Sequence, residues 1–183
     1  MAEKGIELTI PALDDGNFEG MTLTTQLRVL EKLAHEQHCV LFGSSMGGYL
    51  AALYAQNHPK VERVVLLAPA FDFSRRWAER VGAEEMKKWR TTGQLPVFHY
   101  GEGHERSISY QLFEDAEHYP AFPDVRQPTL IFHGGRDDVV PPDHSIRFAD
   151  GRPSAELHIM ESGHELTNVM PEMWALVERF LFA

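Results

Sequence analysis

A serine stands at the centre of a glycine-flanked motif early in the chain. Residues 43–47 read Gly-Ser-Ser-Met-Gly and match the pattern Gly-x-Ser-x-Gly, with Ser45 in the middle. A strand-like run over residues 39–42 precedes the motif, and a largely apolar helical segment over residues 46–56 follows it. A sharp turn from strand to helix exposes a serine hydroxyl and points the first helical N–H groups toward it. The motif therefore predicts that Ser45 is a nucleophile and that the N–H of Met46 stabilises an oxyanion.

A serine nucleophile requires a base that takes its proton and an acid that orients the base. Asp137 lies in the loop after the strand-like run 129–132, and His164 lies in the loop after the weaker run 156–160. Because the carboxyl ends of parallel strands meet at one edge of a sheet, we expect both side chains to approach Ser45 there. The order along the chain is nucleophile, acid and base, and it predicts covalent hydrolysis through a serine.

The elements that must hold these loops alternate between short apolar runs and helical patterns. This alternation predicts an α/β fold with a mostly parallel sheet flanked by helices. The predicted strands are residues 6–10, 39–42, 61–68, 129–132 and 156–160, and the predicted helices are residues 23–34, 46–56 and 170–181.

The composition limits the class of protein. The chain has 183 residues, of which 43% are apolar, enough for one domain over residues 1–183 that needs no disulfide or metal. The formal charge of −10, with no basic patch, disfavours a nucleic-acid partner. No apolar run approaches the roughly 20 residues that span a bilayer, and the first residues lack the apolar core of a signal peptide. We therefore expect a cytoplasmic protein without a membrane partner.

The segment 71–127 does not fit the alternation, because it is too long for a simple connection between strands. We interpret it as an inserted cap with a helix over residues 75–90. Residues 95–100 and 108–113 are predicted to pair as a hairpin around the turn 101–103. The aromatic side chains of the insertion either line an apolar acyl pocket or form a small core of their own, and for each one taken singly we favour the core. They are Trp77, Trp89, Phe98, Tyr100 and Tyr110.

Taken together, these motifs resemble those of the α/β-hydrolase superfamily, and most of all its small bacterial serine esterases. The resemblance rests on residues 43–48, 66–70, 128–134, 137, 140–141 and 162–164. It implies that Ser45 is the nucleophile, Asp137 the acid and His164 the base of a triad that cleaves small esters. It also implies that Met46 contributes an oxyanion N–H and that no metal or organic cofactor takes part. Thioesters and amides are alternative substrates, because the same triad cleaves them and the pocket decides between them.

One feature departs from this family. Its members normally have an earlier, central strand that ends in a His-Gly turn, which supplies the second oxyanion N–H. Here the only His-Gly pair is His133-Gly134, in the loop of the acid. The resemblance therefore implies a reduced fold: either the chain is a shortened form or has a shortened start, or the loop 13–20 or a partner subunit supplies the second donor. An open sheet edge makes a homodimer one expectation, and a degenerate hydrolase that binds without turnover is the rival function.

Alternatives stay open for two of the site residues. Ser44 is the neighbouring register for the nucleophile, but glycines do not flank it at the required spacing. Asp138 and Asp72 compete with Asp137, which we favour from its register with the His-Gly pair before it and Val140-Pro141 after it. The histidines other than His164 lack a metal-ligand spacing such as His-Glu-x-x-His, so we expect them to be ordinary solvated or structural side chains.

Overall fold

The computed structural model describes residues 7–99 and 102–182, which form six strands and seven α-helices. The strands, numbered in chain order, are β1 (Cys39–Ser44), β2 (Val61–Leu67), β3 (Gln94–His99), β4 (His104–Ser109), β5 (Thr129–Gly134) and β6 (Ala155–Met160). The helices are α1 (Leu23–Ala34), α2 (Met46–Ala55), α3 (Phe73–Val81), α4 (Ala83–Thr92), α5 (Gln111–Ala116), α6 (Asp143–Ala149) and α7 (Met170–Phe182).

Four of the strands form one parallel sheet in the order β1-β2-β5-β6. Phe42 of β1 lies opposite Val65 of β2, and Leu66 of β2 lies opposite Ile131 of β5. This sheet confirms the predicted α/β class. Within the described residues, β1 pairs with β2 alone, so the strand that leads to Ser45 is an edge strand.

Alternate residues of the central strands enter two separate cores, one on each face of the sheet. Val64 and Ile131 belong to the larger core, which includes side chains of α1, α2 and α6. Val65 and Leu130 belong to the smaller core, which Met173 and Val177 of α7 complete. Burial on both faces explains why these strands read as continuous apolar runs in the sequence. The sheet is therefore fixed between two helical layers, which holds its strand ends in place.

The helices on the larger face follow the sequence prediction. The Thr22 hydroxyl accepts a hydrogen bond from the N–H of Thr25 and caps α1, which ends at Ala34 as its apolar spacing predicts. In α2, every residue from Gly48 to Ala55 is buried, in agreement with its apolar character on all sides. The C-terminal helix α7 also lies where the spacing predicts it.

The prediction of a strand over residues 6–10 is wrong for residues 7–10, which belong to no strand. Residue 6 lies outside the described residues. Leu8 and Ile10 are among the most exposed apolar side chains, at 64% and 84%. Alternating apolar residues form a strand only when a neighbouring strand pairs with them, and here no described strand does.

The inserted segment between β2 and β5 differs from its prediction in two details. The predicted helix over residues 75–90 begins earlier, at Phe73, and is split into α3 and α4 by Gly82, whose φ of +82° interrupts the helix. The predicted hairpin exists, but its second strand is β4, because the chain turns at Gly103 and pairing resumes at His104. Residues 111–113 are consequently helical, within α5. Residues 100 and 101 lie outside the described residues.

Most of the aromatic side chains of the insertion pack on one another. Trp89 is 1% exposed, and its indole Nε1–H donates to the carbonyl of Ile108 at 3.0 Å. Its ring contacts Trp77 and Tyr110, with ring centroids 5.8 Å and 5.3 Å away. Phe98 is 53% exposed, and Tyr100 lies outside the described residues. For Trp77, Trp89 and Tyr110 this packing agrees with the favoured interpretation of a small core.

Candidate active site

Ser45 occupies the turn between β1 and α2 in a conformation that a residue with a side chain rarely adopts. Its φ is +51° and its ψ is −120°. Such a backbone costs on the order of 1–3 kcal/mol and persists only where its surroundings enforce it. Here the Ser45 N–H donates to the carbonyl of Leu67 at 2.8 Å, and the Ser45 carbonyl accepts from the N–H of Ala70 at 2.9 Å. The end of β2 therefore holds the strained turn in place.

The glycines of the motif serve different purposes. A Cβ atom on Gly43 would lie 2.3 Å from the carbonyl oxygen of Gly47, so only glycine allows this turn to close. A Cβ atom on Gly48 would lie 3.1 Å from both the Gly43 carbonyl oxygen and Pro69. At Gly47 an added Cβ would meet nothing within 4 Å in the described part of the chain. Crowding, the general reason for glycines in this motif, thus applies to Gly43 and not to Gly47.

The three predicted side chains meet at the carboxyl-terminal edge of the sheet. Nε2 of His164 lies 3.0 Å from Oγ of Ser45, and Nδ1 of His164 lies 2.7 Å from Oδ2 of Asp137. An ionised carboxylate can only accept, so Nδ1 carries the proton and Nε2 is free to accept the serine proton. The loops after β1, β5 and β6 therefore bring together a hydroxyl, an imidazole and a carboxylate in one line.

Asp137 is held by donors on both of its oxygens. Oδ1 accepts from the N–H groups of Val139 at 2.9 Å and Val140 at 2.8 Å, while Nε2 of His133 lies 3.2 Å from Oδ2. Burial by itself would raise the pKa of this carboxyl group. The hydrogen bonds from His133, His164 and the two backbone N–H groups prevail and keep its pKa far below its ordinary value. Asp137 is consequently ionised beside His164.

The alternative residues lie elsewhere. The hydroxyl that faces His164 belongs to Ser45, whereas Ser44 is the exposed last residue of β1. Asp138 is exposed, and Asp72 forms an ion pair with Arg75 at the start of α3. The geometry thus places Asp137, among the three acidic candidates, next to the imidazole.

Sequence reasoning missed the part that His133 plays in positioning the acid. Its ring is fully buried, with Nδ1 2.7 Å from Oγ of Ser145 and Nε2 2.8 Å from the carbonyl oxygen of Val140. Because that carbonyl can only accept, Nε2 carries the proton and Nδ1 accepts from the serine hydroxyl. The His133 side chain thereby braces the turn that aims Asp137. Its place directly after the apolar residues Leu130, Ile131 and Phe132 was the one available signal.

Two further contacts fix the loops of the acid and the base. A Cβ atom on Gly134 would lie 2.2 Å from the carbonyl oxygen of Gly163, so the end of β5 touches the backbone just before His164. From the insertion, the Arg76 guanidinium donates to the carbonyl of Val139 at 2.6 Å. The backbone that carries the acid is thus held on one side by the loop of the base and on the other by α3.

The N–H of Met46 is available at the first turn of α2, because no acceptor binds it in the described part of the chain. The loop 13–20, one of the expected sources of a second donor, lies instead against the hairpin. The N–H of Ser109 donates to the carbonyl of Glu19 at 2.8 Å, and Phe18 packs edge-on against His99. None of the described hydrogen bonds of this loop reaches Ser45. The source of the second donor stays a prediction.

The parallel sheet with its helical layers, and the sharp turn after its first strand, define the chain as an α/β hydrolase. It belongs to the family described as "Uncharacterised protein family (UPF0227)", whose model matches residues 1–181. The bovine protein named palmitoyl-protein thioesterase ABHD10, mitochondrial, is 30% identical over 155 residues, which cover 80% of this chain and 50% of that protein. The chain thus spans about half the length of the ABHD10 relatives it matches.

Solved structures agree with this classification. Alpha/beta hydrolase domain-containing protein 10 from mouse matches with a TM-score of 0.73 and 26% identity over 91% of this chain and 72% of its own. A putative hydrolase from Agrobacterium vitis matches with a TM-score of 0.73 and 24% identity, over 96% and 73% of the two chains. The second likeness shows the fold alone.

The last expectations concern a membrane contact, the location, the oligomeric state and the cap. No helix in the described part of the chain has the length and apolar character that a membrane crossing needs. The cytoplasmic location, the homodimer and the extent of the cap over residues 71–127 remain predictions.

Proposed function

We propose that the chain is a serine hydrolase that cleaves small carboxylic esters, with Ser45, His164 and Asp137 as its triad. The observation that carries the proposal is the continuous line of hydrogen bonds from the Ser45 hydroxyl through His164 to Asp137, with lengths of 3.0 Å and 2.7 Å. The strained backbone of Ser45 supports it, because such strain is retained where a side chain must point out of a sheet.

The reaction proceeds by acyl transfer in two halves. Nε2 of His164 takes the Ser45 proton as Oγ attacks the ester carbonyl, and the N–H of Met46 stabilises the oxyanion of the tetrahedral intermediate. His164 then gives its proton to the alcohol, which leaves behind an acyl-enzyme on Ser45. Water, activated by the same imidazole, attacks the acyl-enzyme and releases the acid. Asp137 stays ionised throughout and stabilises the imidazolium that forms twice in each cycle.

A thioester is the second candidate substrate. The bovine relative bears the name palmitoyl-protein thioesterase, and the same triad cleaves thioesters by the same steps. The departure of a thiolate depends less on a proton from His164 than the departure of an alkoxide does. The two substrates therefore differ in how much they need His164 as an acid. Amide cleavage, and binding without turnover, are the remaining candidates from the sequence.

A covalent probe and one pair of variants test the triad. We expect a fluorophosphonate to label the wild-type chain at Ser45 and to leave Ser45→Ala unlabelled, as read by mass spectrometry of peptides. Hydrolysis of p-nitrophenyl butyrate should fall by a factor on the order of 10⁶ in Ser45→Ala, the loss typical of a removed triad serine. Ser44→Ala is the matched control, because Ser44 is exposed and its side chain does not face the imidazole. Retained turnover in Ser45→Ala, or a folded wild-type chain that the probe does not label, contradicts the proposal.

Substrate class follows from a separate comparison. The ratio of kcat/KM for butyryl thiocholine to that for butyryl choline distinguishes thioester from ester preference, since the two differ only in the atom that leaves. We expect the oxygen ester to be cleaved with at least comparable efficiency. A thioester preference of a hundredfold or more would replace the ester with the thioester and leave the triad assignment intact.

A further inference from the structure

A second group of histidine and carboxylate side chains lies at the opposite end of α2 from Ser45. Glu31 belongs to α1, His35 follows one turn later at the end of that helix, and His58 follows α2. Oε1 of Glu31 lies 2.5 Å from Nδ1 of His35, and Oε2 lies 2.8 Å from Nε2 of His58. One ligand atom from each side chain lies within 4.8 Å of the other two. Because α2 is ten residues long, the group lies about 15 Å from the triad.

The ring of His58 is oriented so that its lone pair faces this group. Nδ1 lies 2.6 Å from the backbone carbonyl oxygen of Tyr54, which can only accept, so Nδ1 carries a proton. In the neutral ring Nε2 therefore has no proton, yet it faces a carboxylate oxygen of Glu31. Two lone pairs at this distance repel each other unless a proton lies between them, and a metal ion bound by both side chains would displace that proton. A histidine that ligates a metal through one ring nitrogen commonly donates the N–H of the other nitrogen to a carboxylate, a backbone carbonyl or water.

Tyr54 orients two of the three side chains. Its ring stacks on that of His58, with centroids 3.6 Å apart and planes 3° from parallel, and its hydroxyl donates to Oε2 of Glu31 at 3.0 Å. The Tyr54 side chain thus holds the Glu31 carboxylate beside the ring of His58.

The surroundings leave room for solvent ligands. Glu31 and His58 line a cavity of about 320 Å³ between α1 and α2, which also includes Thr24, Arg28 and Tyr119. The His58 side chain is 27% exposed and the His35 side chain 58% exposed, so an ion can reach the group from solvent. Two imidazoles and one carboxylate, completed by water, form one of the common tetrahedral ligand sets for zinc.

We propose that Glu31, His35 and His58 bind a divalent transition-metal ion of the zinc type, which links α1 to the segment after α2. The ion does not take part in the chemistry at Ser45, because it lies at the other end of the helix. Its effect is on stability: it ties two elements of the larger core together and binds the folded chain only, since the unfolded chain does not hold the three ligands in place.

Titration of the purified, metal-free chain with zinc and cobalt tests this site. We expect zinc to bind one-to-one by calorimetry and to raise the midpoint of thermal unfolding, and cobalt to give the visible absorption of a tetrahedral ion. His35→Gln and His58→Gln should each weaken zinc affinity at least tenfold, in line with loss of one ligand. His38→Gln is the matched control, because His38 is exposed and pairs with Glu62 outside the group.

The zinc affinities of these variants decide whether the three side chains form the site. Equal zinc affinity in the wild type, His35→Gln and His58→Gln would overturn the proposal, as would a wild-type chain that shows neither one-to-one binding nor the cobalt absorption. If His58→Gln alone fails to fold, Glu31→Gln replaces it, since this side chain is 42% exposed and keeps its size. Loss of binding in Glu31→Gln with retention in His38→Gln supports the site.

Discussion

Among the groups that combine histidine with a carboxylate, the one around Asp137 and the one around Glu31 differ in burial and in the number of contacts. The Asp137 side chain is fully buried and the side chain of its partner His164 is 17% exposed. The Glu31 side chain is 42% exposed, and its two oxygens face His35 and His58. The same chemical pair is thus fixed by the fold in one place and open to solvent in the other.

The difference bears on what each pair can do. Backbone N–H groups and a second histidine surround Asp137, so it stays ionised, and under the proposed function it would direct one proton transfer without rearrangement. Glu31 has a single neutral donor, Tyr54, and faces solvent, so an ion from solution can complete its contacts. Burial with many donors favours catalysis, whereas partial exposure with few donors favours exchange with a ligand.

The largest expected effect is on the rate and concerns the acid. Asp137→Asn retains the shape of the side chain but removes the charge and favours the wrong tautomer of His164. We expect kcat for ester hydrolysis to fall by a factor on the order of 10⁴. Asp138→Asn, at the exposed neighbouring position, should stay within a factor of about two. Steady-state kinetics measures both, and equal rates for the two variants would show that the buried Asp137 does not act as the acid.

The next effect concerns the contact that joins the loops of the triad. Gly134→Ala places a Cβ atom 2.2 Å from the Gly163 carbonyl oxygen, so the loop of His164 must move. We expect a loss of about 1–3 kcal/mol in the free energy of unfolding, together with a lower kcat. In Gly135→Ala the nearest atoms lie at 3.4 Å, and the change should stay within about 0.5 kcal/mol. Urea unfolding of both variants checks this, and a Gly134→Ala chain as stable and active as Gly135→Ala would contradict it.

A smaller effect appears in acid. The pKa of Asp137 is lowered by folding from its ordinary 3.8, so the unfolded chain binds this proton first as the pH falls. The stability that Asp137 contributes is therefore complete above that value and is lost as the pH falls toward the lower pKa of the folded state. The stability gap between the wild type and Asp137→Asn should narrow between about pH 6 and about pH 3. Denaturant unfolding at both pH values measures the gap, and a constant gap would show that hydrogen bonds to the ionised form do not stabilise this site.

The smallest effect is expected at the open pair without added metal. In metal-free buffer, His35→Gln removes only contacts between exposed side chains, which contribute little to stability in water. Its thermal midpoint should therefore match that of the wild type until zinc is added. A large loss in metal-free buffer would mean that the pair is already a structural ion pair and does not need an ion.

The sequence by itself determined the parts that depend on neighbouring residues. The glycine-serine motif predicted the strand-to-helix turn, because Gly43 must be glycine for the chain to close it. Apolar spacing predicted α1, α2 and α7, and the apolar runs predicted the four strands of the sheet. The edge of a parallel sheet then collects the strand ends, which is why Ser45, Asp137 and His164 were expected to meet.

Only the tertiary structure decided the contacts between distant segments. Residues 7–10 have the pattern of a strand but no described partner, so they form no strand and are exposed. His133 braces the acid through the turn at Val140, and His58 faces Glu31 because α1 packs against α2. Glu31 and His35 are one helical turn apart in the sequence, yet the third ligand is far along the chain. Such contacts depend on how buried faces pack, and no local pattern records which residues that packing brings together.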